Sequence, residues 1–289
     1  MKLSRISTVA LLVGLVAANA GCALINRVRA KNALNEGASA YRQGNFAEAE
    51  QKFRHAYELD PLQKNAPLFI ARAVQQQYKP GVPAPENVKK GEDAIAAYQE
   101  ILNRDPSNDD AYKAIVFLYG QMRNEDKVRE MLMQRASLGS IPPEKRSEAL
   151  TILASKQWQC AYDITEQKEN KETQTTTQPG NNLPKVTVKY KKPANQADFD
   201  RARQCVTEGL KLAEQAVNLD ANNPNSWSYR ANLLREAAKL AEMEGNAQAK
   251  ADYESQYEKA LETHKRLSEE AAKKKEAEEA AKGAKQPAS

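Results

Sequence analysis

Between residues 29 and 61 apolar side chains recur every three or four positions, and a polar break at Gln43-Gly44-Asn45 divides them. That period predicts two short antiparallel helices, with Gly44-Asn45 as the turn and the second helix running from about Phe46 to Leu59. Small residues (Gly37, Ala49, Ala56) stand where two helices must approach closely. Large ones (Tyr41, Phe46, Phe53, Leu59) fill the space between them. Ala49 and Phe53 are four apart and share one face of the second helix. Asp60-Pro61 ends it, because proline cannot continue a helix and biases the residue before it away from helix.

The same pattern returns along the chain. A second pair is expected from about Ala66 to Tyr78 and from about Glu86 to Asn103, with Ala94 and Tyr98 four apart and Asp105-Pro106 as the stop. Its connecting loop, Lys79 to Pro85, holds three prolines and reads as stiff and extended. In a third pair, Tyr112, Ile115, Leu118 and Tyr119 mark one helix, and Val128, Leu132 and Ala136 the other, with Asn124-Glu125 at the turn. Pro143 opens a longer helix to about Thr165, with Leu150, Leu153, Trp158 and Tyr162 along its apolar stripe. Lys168 to Pro193 has almost no core-forming residues and reads as a flexible insertion at 168–195; Val186 to Tyr190 alternates, but an isolated strand is not stable. Helix resumes from Gln196 to Leu219 and again from Asn225 to Met243; Gly245-Asn246 turns, and a last helix starts near Ala247. After Leu267 no apolar side chain larger than alanine follows. Residues 268–289 read as a solvated helical end fraying into a disordered tail.

The first hairpin resembles the tetratricopeptide repeat (TPR) at Gly37, Gly44, Phe46, Ala49, Phe53, Ala56 and Pro61, at the family's spacing. Ala94, Tyr98, Pro106 and Trp227 continue the signature. Tyr41 departs from it by standing one place late. Pro61 and Pro106 are 45 residues apart, longer than the period of about 34; the proline loop and an extra turn of helix account for the excess. The resemblance implies an all-α, right-handed α-solenoid of about five antiparallel helix hairpins over 29–267. It also implies a protein-binding scaffold, with ligands in a concave groove lined by the first helix of each pair. Projected here, that face carries Leu34, Ala38, Tyr41 and Arg42, then Leu68, Arg72, Gln75 and Gln76, then Lys113, Phe117 and Gln121. The family's clamp for a C-terminal carboxylate would need Lys and Asn at two positions held here by Leu34 and Ala38. The expected ligand is therefore an extended protein segment of some acidic character.

The N-terminus changes the picture of location. Residues 1–22 have a basic start (Lys2, Arg5), an apolar run from Val9 to Ala18, and small residues after it, the layout of a secretory signal. Three endings are open. Ala20-Gly21-Cys22 resembles the end of a bacterial lipobox, with Cys22 lipidated, although Asn19 replaces the usual aliphatic residue. Ala18-Asn19-Ala20 fits an A-x-A cleavage site and a soluble mature chain. Val9 to Ile25 is about long enough for an uncleaved anchor, but Arg27, Arg29 and Lys31 just beyond it oppose export of that flank. A cell-envelope protein facing the extracytoplasmic side, held at a membrane through its N-terminus, is the expectation.

Three cysteines are present. With Cys22 lipidated or removed, Cys160 and Cys205 remain, and two cysteines in an exported chain suggest a disulfide, the alternative being buried thiols. The net charge is +5 with 28% charged residues, and mean hydropathy is −0.75, a polarity that suits a solenoid's large surface. Six lysines against two glutamates in 168–193 supply most of that charge. No basic helix with interleaved aromatics points to nucleic acid. His55 and His264 lie among charges and read as solvated. No phosphate loop, nucleophile elbow or HExxH occurs. A non-catalytic scaffold for other proteins follows, without cofactor, metal or small-molecule substrate. The alternative is a soluble exported protein that binds partners through its insertion and tail.

Overall fold

Helix α1 spans 24–42 and turns at Gln43-Gly44 into α2 (Phe46–Leu59). Gly44 sits at φ +81°, a conformation that glycine reaches without steric cost. Where the two helices cross, a Cβ on Gly37 would stand 2.6 Å from the Phe53 ring. Ala30, Ala33, Ala40, Ala49, Phe53 and Ala56 form the buried seam. The computed structural model describes the backbone of residues 24–178 and 181–283, and the side chains of these except 174–186 and 282–283. Cys22 and the leader therefore lie outside the described residues, as do residues 284–289 of the tail.

The contacts divide the chain into two units, 1–128 and 129–289. In the first, α3 (Ala66–Gln75) packs on α2 and on α4 (Pro85–Arg104), and α4 on α5 (Asp109–Gln121). Helix α3 ends three residues before the sequence suggests. The reason lies in the loop that follows: the buried Asn87 amide donates to the carbonyls of Lys79 and Val82, both at 2.8 Å, and its oxygen accepts from Lys79 N–H at 2.8 Å. Turn residues 76–84 are thus held by a side chain as well as by prolines. The unit boundary falls within α6 (Glu125–Ser137).

The second unit holds α7 (Pro143–Thr165), α8 (Gln196–Leu219), α9 (Pro224–Met243) and α10 (Ala247–Gly283). Ala161, Ile164, Phe199, Ala202, Cys205, Val206, Ala237 and Leu240 form its core, extended by Ala231, Leu234 and Ala260. A Cβ on Gly209 of α8 would stand 2.5 Å from Leu233 of α9. Buried hydroxyls join the helices as well: Ser147 donates to the Ala216 carbonyl at 2.9 Å, and the Thr151 and Ser226 hydroxyls are hydrogen-bonded at 2.7 Å. Trp227 donates its indole N–H to the Ala221 carbonyl at 2.8 Å. His264, read as solvated, is half-buried with Nδ1 2.9 Å from the Pro224 carbonyl.

Residues 168–190 differ from the reading of a flexible insertion. After a 3₁₀ turn at Lys168–Asn170, β1 (Lys171–Gln178) pairs antiparallel with β2 (Asn181–Tyr190), starting at Lys171 opposite Tyr190. Each strand supplies the partner that the other lacks, which an inspection of Val186–Tyr190 alone does not reveal. The fold is thus all-α in its framework, TPR-like antiparallel helix pairs, with one β-hairpin inserted between α7 and α8.

Candidate functional site

In the first unit Ala38, Tyr41 and Arg42 of α1, Phe53 of α2, and Phe69 and Arg72 of α3 line a concavity of about 240 Å³. The spacing of each helix places these residues together, since Tyr41 and Arg42 each stand one turn after Ala38, as Arg72 does after Phe69. Phe53 and Phe69 meet with ring centroids 5.4 Å apart, and Tyr41 packs edge-on against Phe46 at 5.2 Å. The floor is therefore aromatic and the rim carries guanidinium groups. Arg72 Nη2 reaches Asp110 of α5 at 2.9 Å, with both side chains about half exposed. The Arg42 head is exposed. An aromatic floor beside exposed guanidinium donors can seat an apolar side chain and a neighbouring carboxylate.

The structure brings Ala38, Tyr41, Arg42 and Arg72 together and sets the other projected groove residues, Leu34 among them, apart from that concavity. Gln75 turns inward, its Oε1 accepting from the Tyr98 hydroxyl at 2.6 Å. Burial pushes that hydroxyl's pKa well above the ordinary tyrosine value. Leu68 is half-buried and Gln76 exposed, and neither lines the concavity. Lys113, Phe117 and Gln121 form an exposed stripe on α5, where Lys113 pairs with Asp109 at 2.7 Å and Phe117 is 53% exposed. Sequence reasoning missed Phe53 and Phe69 as lining residues. Phe53 had a signal as a core residue of α2; Phe69 had none, because its orientation depends on where α3 begins.

A second constellation lies in the second unit. Lys239 of α9, 5% exposed, holds Glu236 Oε1 at 2.6 Å and Glu166 Oε1 at 2.7 Å. Thr165 donates to the other Glu236 oxygen at 2.6 Å. Glu166 also accepts from the Tyr190 hydroxyl and Lys171 Nζ, both at 2.9 Å. Burial alone would raise the Glu166 pKa. The hydrogen bonds from Lys239, Lys171 and Tyr190 outweigh it and hold the carboxyl down at about 2. Lys239 lies over the rings of Tyr162 and Tyr190 as well. This cluster fastens both ends of the β-hairpin to α7 and α9, and every charged member has an opposite partner, so its plain role is structural. Cys160 of α7 and Cys205 of α8 are joined by a disulfide with Cα atoms 6.2 Å apart. Among the described residues no group of three His, Cys, Asp or Glu is placed to hold a metal, and no helix is long and apolar enough to cross a membrane.

No protein-family model matches the chain, and no curated protein is similar to it. Solved structures do resemble it. A TPR repeats protein from Bacteroides fragilis is 17% identical over 73% of this chain and 84% of its own, with a TM-score of 0.45. Pseudomonas aeruginosa pilF is 14% identical over 85% of this chain and 99% of its own, with a TM-score of 0.37. A tetratricopeptide repeat protein from Parabacteroides merdae is 13% identical over 83% and 97%, with a TM-score of 0.35.

Proposed function

We propose that this protein is a non-catalytic scaffold, held at a membrane through its N-terminus on the extracytoplasmic side, that binds an extended segment of a partner protein in its first hairpins. The observation that carries the reading is the concavity of α1, α2 and α3, with an aromatic floor and the Arg42 and Arg72 rim. Its chemistry suits a segment that places an apolar side chain next to an acidic one. The Cys160–Cys205 disulfide supports an oxidising compartment, and the apolar leader ending near Cys22 supports a route to it. The paired β-hairpin weighs against a soluble protein that binds through a disordered insertion.

Two measurements test the two halves of this reading. Mass spectrometry of the mature N-terminus separates diacylglyceryl-Cys22 from a free Gly21 terminus and from intact Met1; a free Gly21 would remove the membrane. For the groove, crosslinked partners are recovered from the native envelope with the intact chain and with the Tyr41→Ala, Arg72→Ala variant. Loss of about tenfold or more in recovery is expected, since truncating central aromatic and Arg anchors typically costs 2 kcal/mol or more. Undiminished binding by a folded double variant would overturn it.

A further inference from the structure

The first two turns of α1 carry an apolar face that the hairpin does not use. Leu24, Ile25 and Val28 are 66%, 54% and 58% exposed. At about 100° per residue these three share an arc of roughly 100°. Ala30 and Ala33, buried at 0% and 5%, lie on the opposite side of the same helix, where α1 meets α2. The exposed arc therefore belongs to no seam of the helix pair. It is also short: further along the same arc stand Asn32, Asn35 and Ser39. Its borders are basic. Arg27 and Lys31 flank it on one side and Arg29 on the other, all exposed.

We infer that residues 24–31 of α1 lie in the surface of an anionic bilayer, with Leu24, Ile25 and Val28 entering the headgroup–acyl boundary and Arg27, Arg29 and Lys31 meeting lipid phosphates. Three observations choose a membrane over a second copy of the chain. The arc is narrow and bordered by cations on both sides, the arrangement in which long basic side chains extend from an apolar face to the headgroups. It ends where the polar part of α1 begins. It also begins two residues after Cys22, where either a lipid on that cysteine or the uncleaved apolar run before it would hold a bilayer. The inference rests on the reading of the chain as membrane-held and adds to it a second contact. An apolar face with basic flanks adds an interfacial contact to whichever anchor holds the N-terminus. The contact would also fix the direction in which α1 leaves the membrane.

The test uses the full chain in phosphatidylethanolamine–phosphatidylglycerol vesicles, with p-benzoylphenylalanine placed at Ile25, Val28 or Asn35. After flotation and illumination, mass spectrometry reads covalent lipid adducts. Adducts are expected at Ile25 and Val28, with about tenfold less at Asn35, and replacing Arg27, Arg29 and Lys31 by Glu should cut the Val28 yield severalfold. Flotation without adducts at Ile25 and Val28, adducts of equal yield at Asn35, or crosslinks to a second chain would each overturn the inference and leave the anchor intact. A chain that does not float at all would remove the anchor and this contact together.

Discussion

Three hairpin turns show how a single position sets a helix pair. Gly44, Arg123 and Gly245 all have positive φ, at 81°, 56° and 71°. Each is followed by an asparagine whose backbone N–H bonds back to a carbonyl five residues earlier, at 2.9 Å in Asn45, Asn124 and Asn246 alike. That bond closes the helix end and starts the next one. Arg123 does this without glycine's freedom, so Arg123→Gly should raise stability by about 0.5–1 kcal/mol, read as a higher denaturant midpoint. Gly37 is the opposite case. Its backbone needs no special φ, but the Phe53 ring occupies the place of a Cβ. Gly37→Ala should therefore cost about 1–3 kcal/mol through overpacking, seen as a lower midpoint with an unchanged helical signal. Asp60, Asp105 and Asp220 form a third recurring device. Each accepts from the N–H two residues on, at 3.2, 3.0 and 3.0 Å. This explains why Asp220 closes α8 although alanine stands where the other two have proline.

Helices dominate what could be read from the chain, because their signal is local. The starts of α4, α7, α8 and α9 fall within a residue of where the apolar period and the proline and asparagine caps put them. The β-hairpin left only the alternation of Val186 to Tyr190, with no signal for the strand that pairs with it. Its strands are rich in Thr, Lys and Gln, and what holds its base is the Glu166 carboxylate together with Lys239, 73 positions further along the chain, and its partner Glu236. The groove was half legible for the same reason: helix period aims Tyr41, Arg42 and Arg72 together, whereas Gln75 is drawn inward by Tyr98, a contact between helices. The hairpin's attachment should depend on acid. Glu166 titrates at about 2 when folded against an ordinary 4.5, so its contribution is fully present above about pH 4.5 and is lost as pH falls toward 2. Hydrogen exchange should show the amides near Lys171 and Tyr190 losing protection through that window. Glu166→Gln should weaken the protection at neutral pH and flatten its decline in acid; an unchanged acid limb would assign the attachment to other groups.

At the scale of the whole chain, the covalent link and the aromatic groove fall in different units. The disulfide closes a loop from Cys160 to Cys205, separated by 45 positions, that contains the β-hairpin and lies wholly within 129–289. In the chain-entropy account a loop of that length stabilises by roughly 4 kcal/mol, because the unfolded chain loses the conformations that the link forbids. The groove, by contrast, rests on α1, α2 and α3, where burial of Phe53, Ala49 and Ile70 and the Gly37 contact hold the helices without any covalent help. Reduction, or Cys160→Ser with Cys205→Ser, should therefore act unevenly. Amide exchange in α7, α8 and α9 should rise by several orders of magnitude, as a loss of roughly 4 kcal/mol implies. Exchange in α1 to α3 should hold steady, and partner recovery through Tyr41 and Arg72 should survive. Equal loosening of α1 to α3 would mean that the stability of the groove is carried by the second unit, and that a reducing environment silences binding as well as loosening the disulfide-bonded helices.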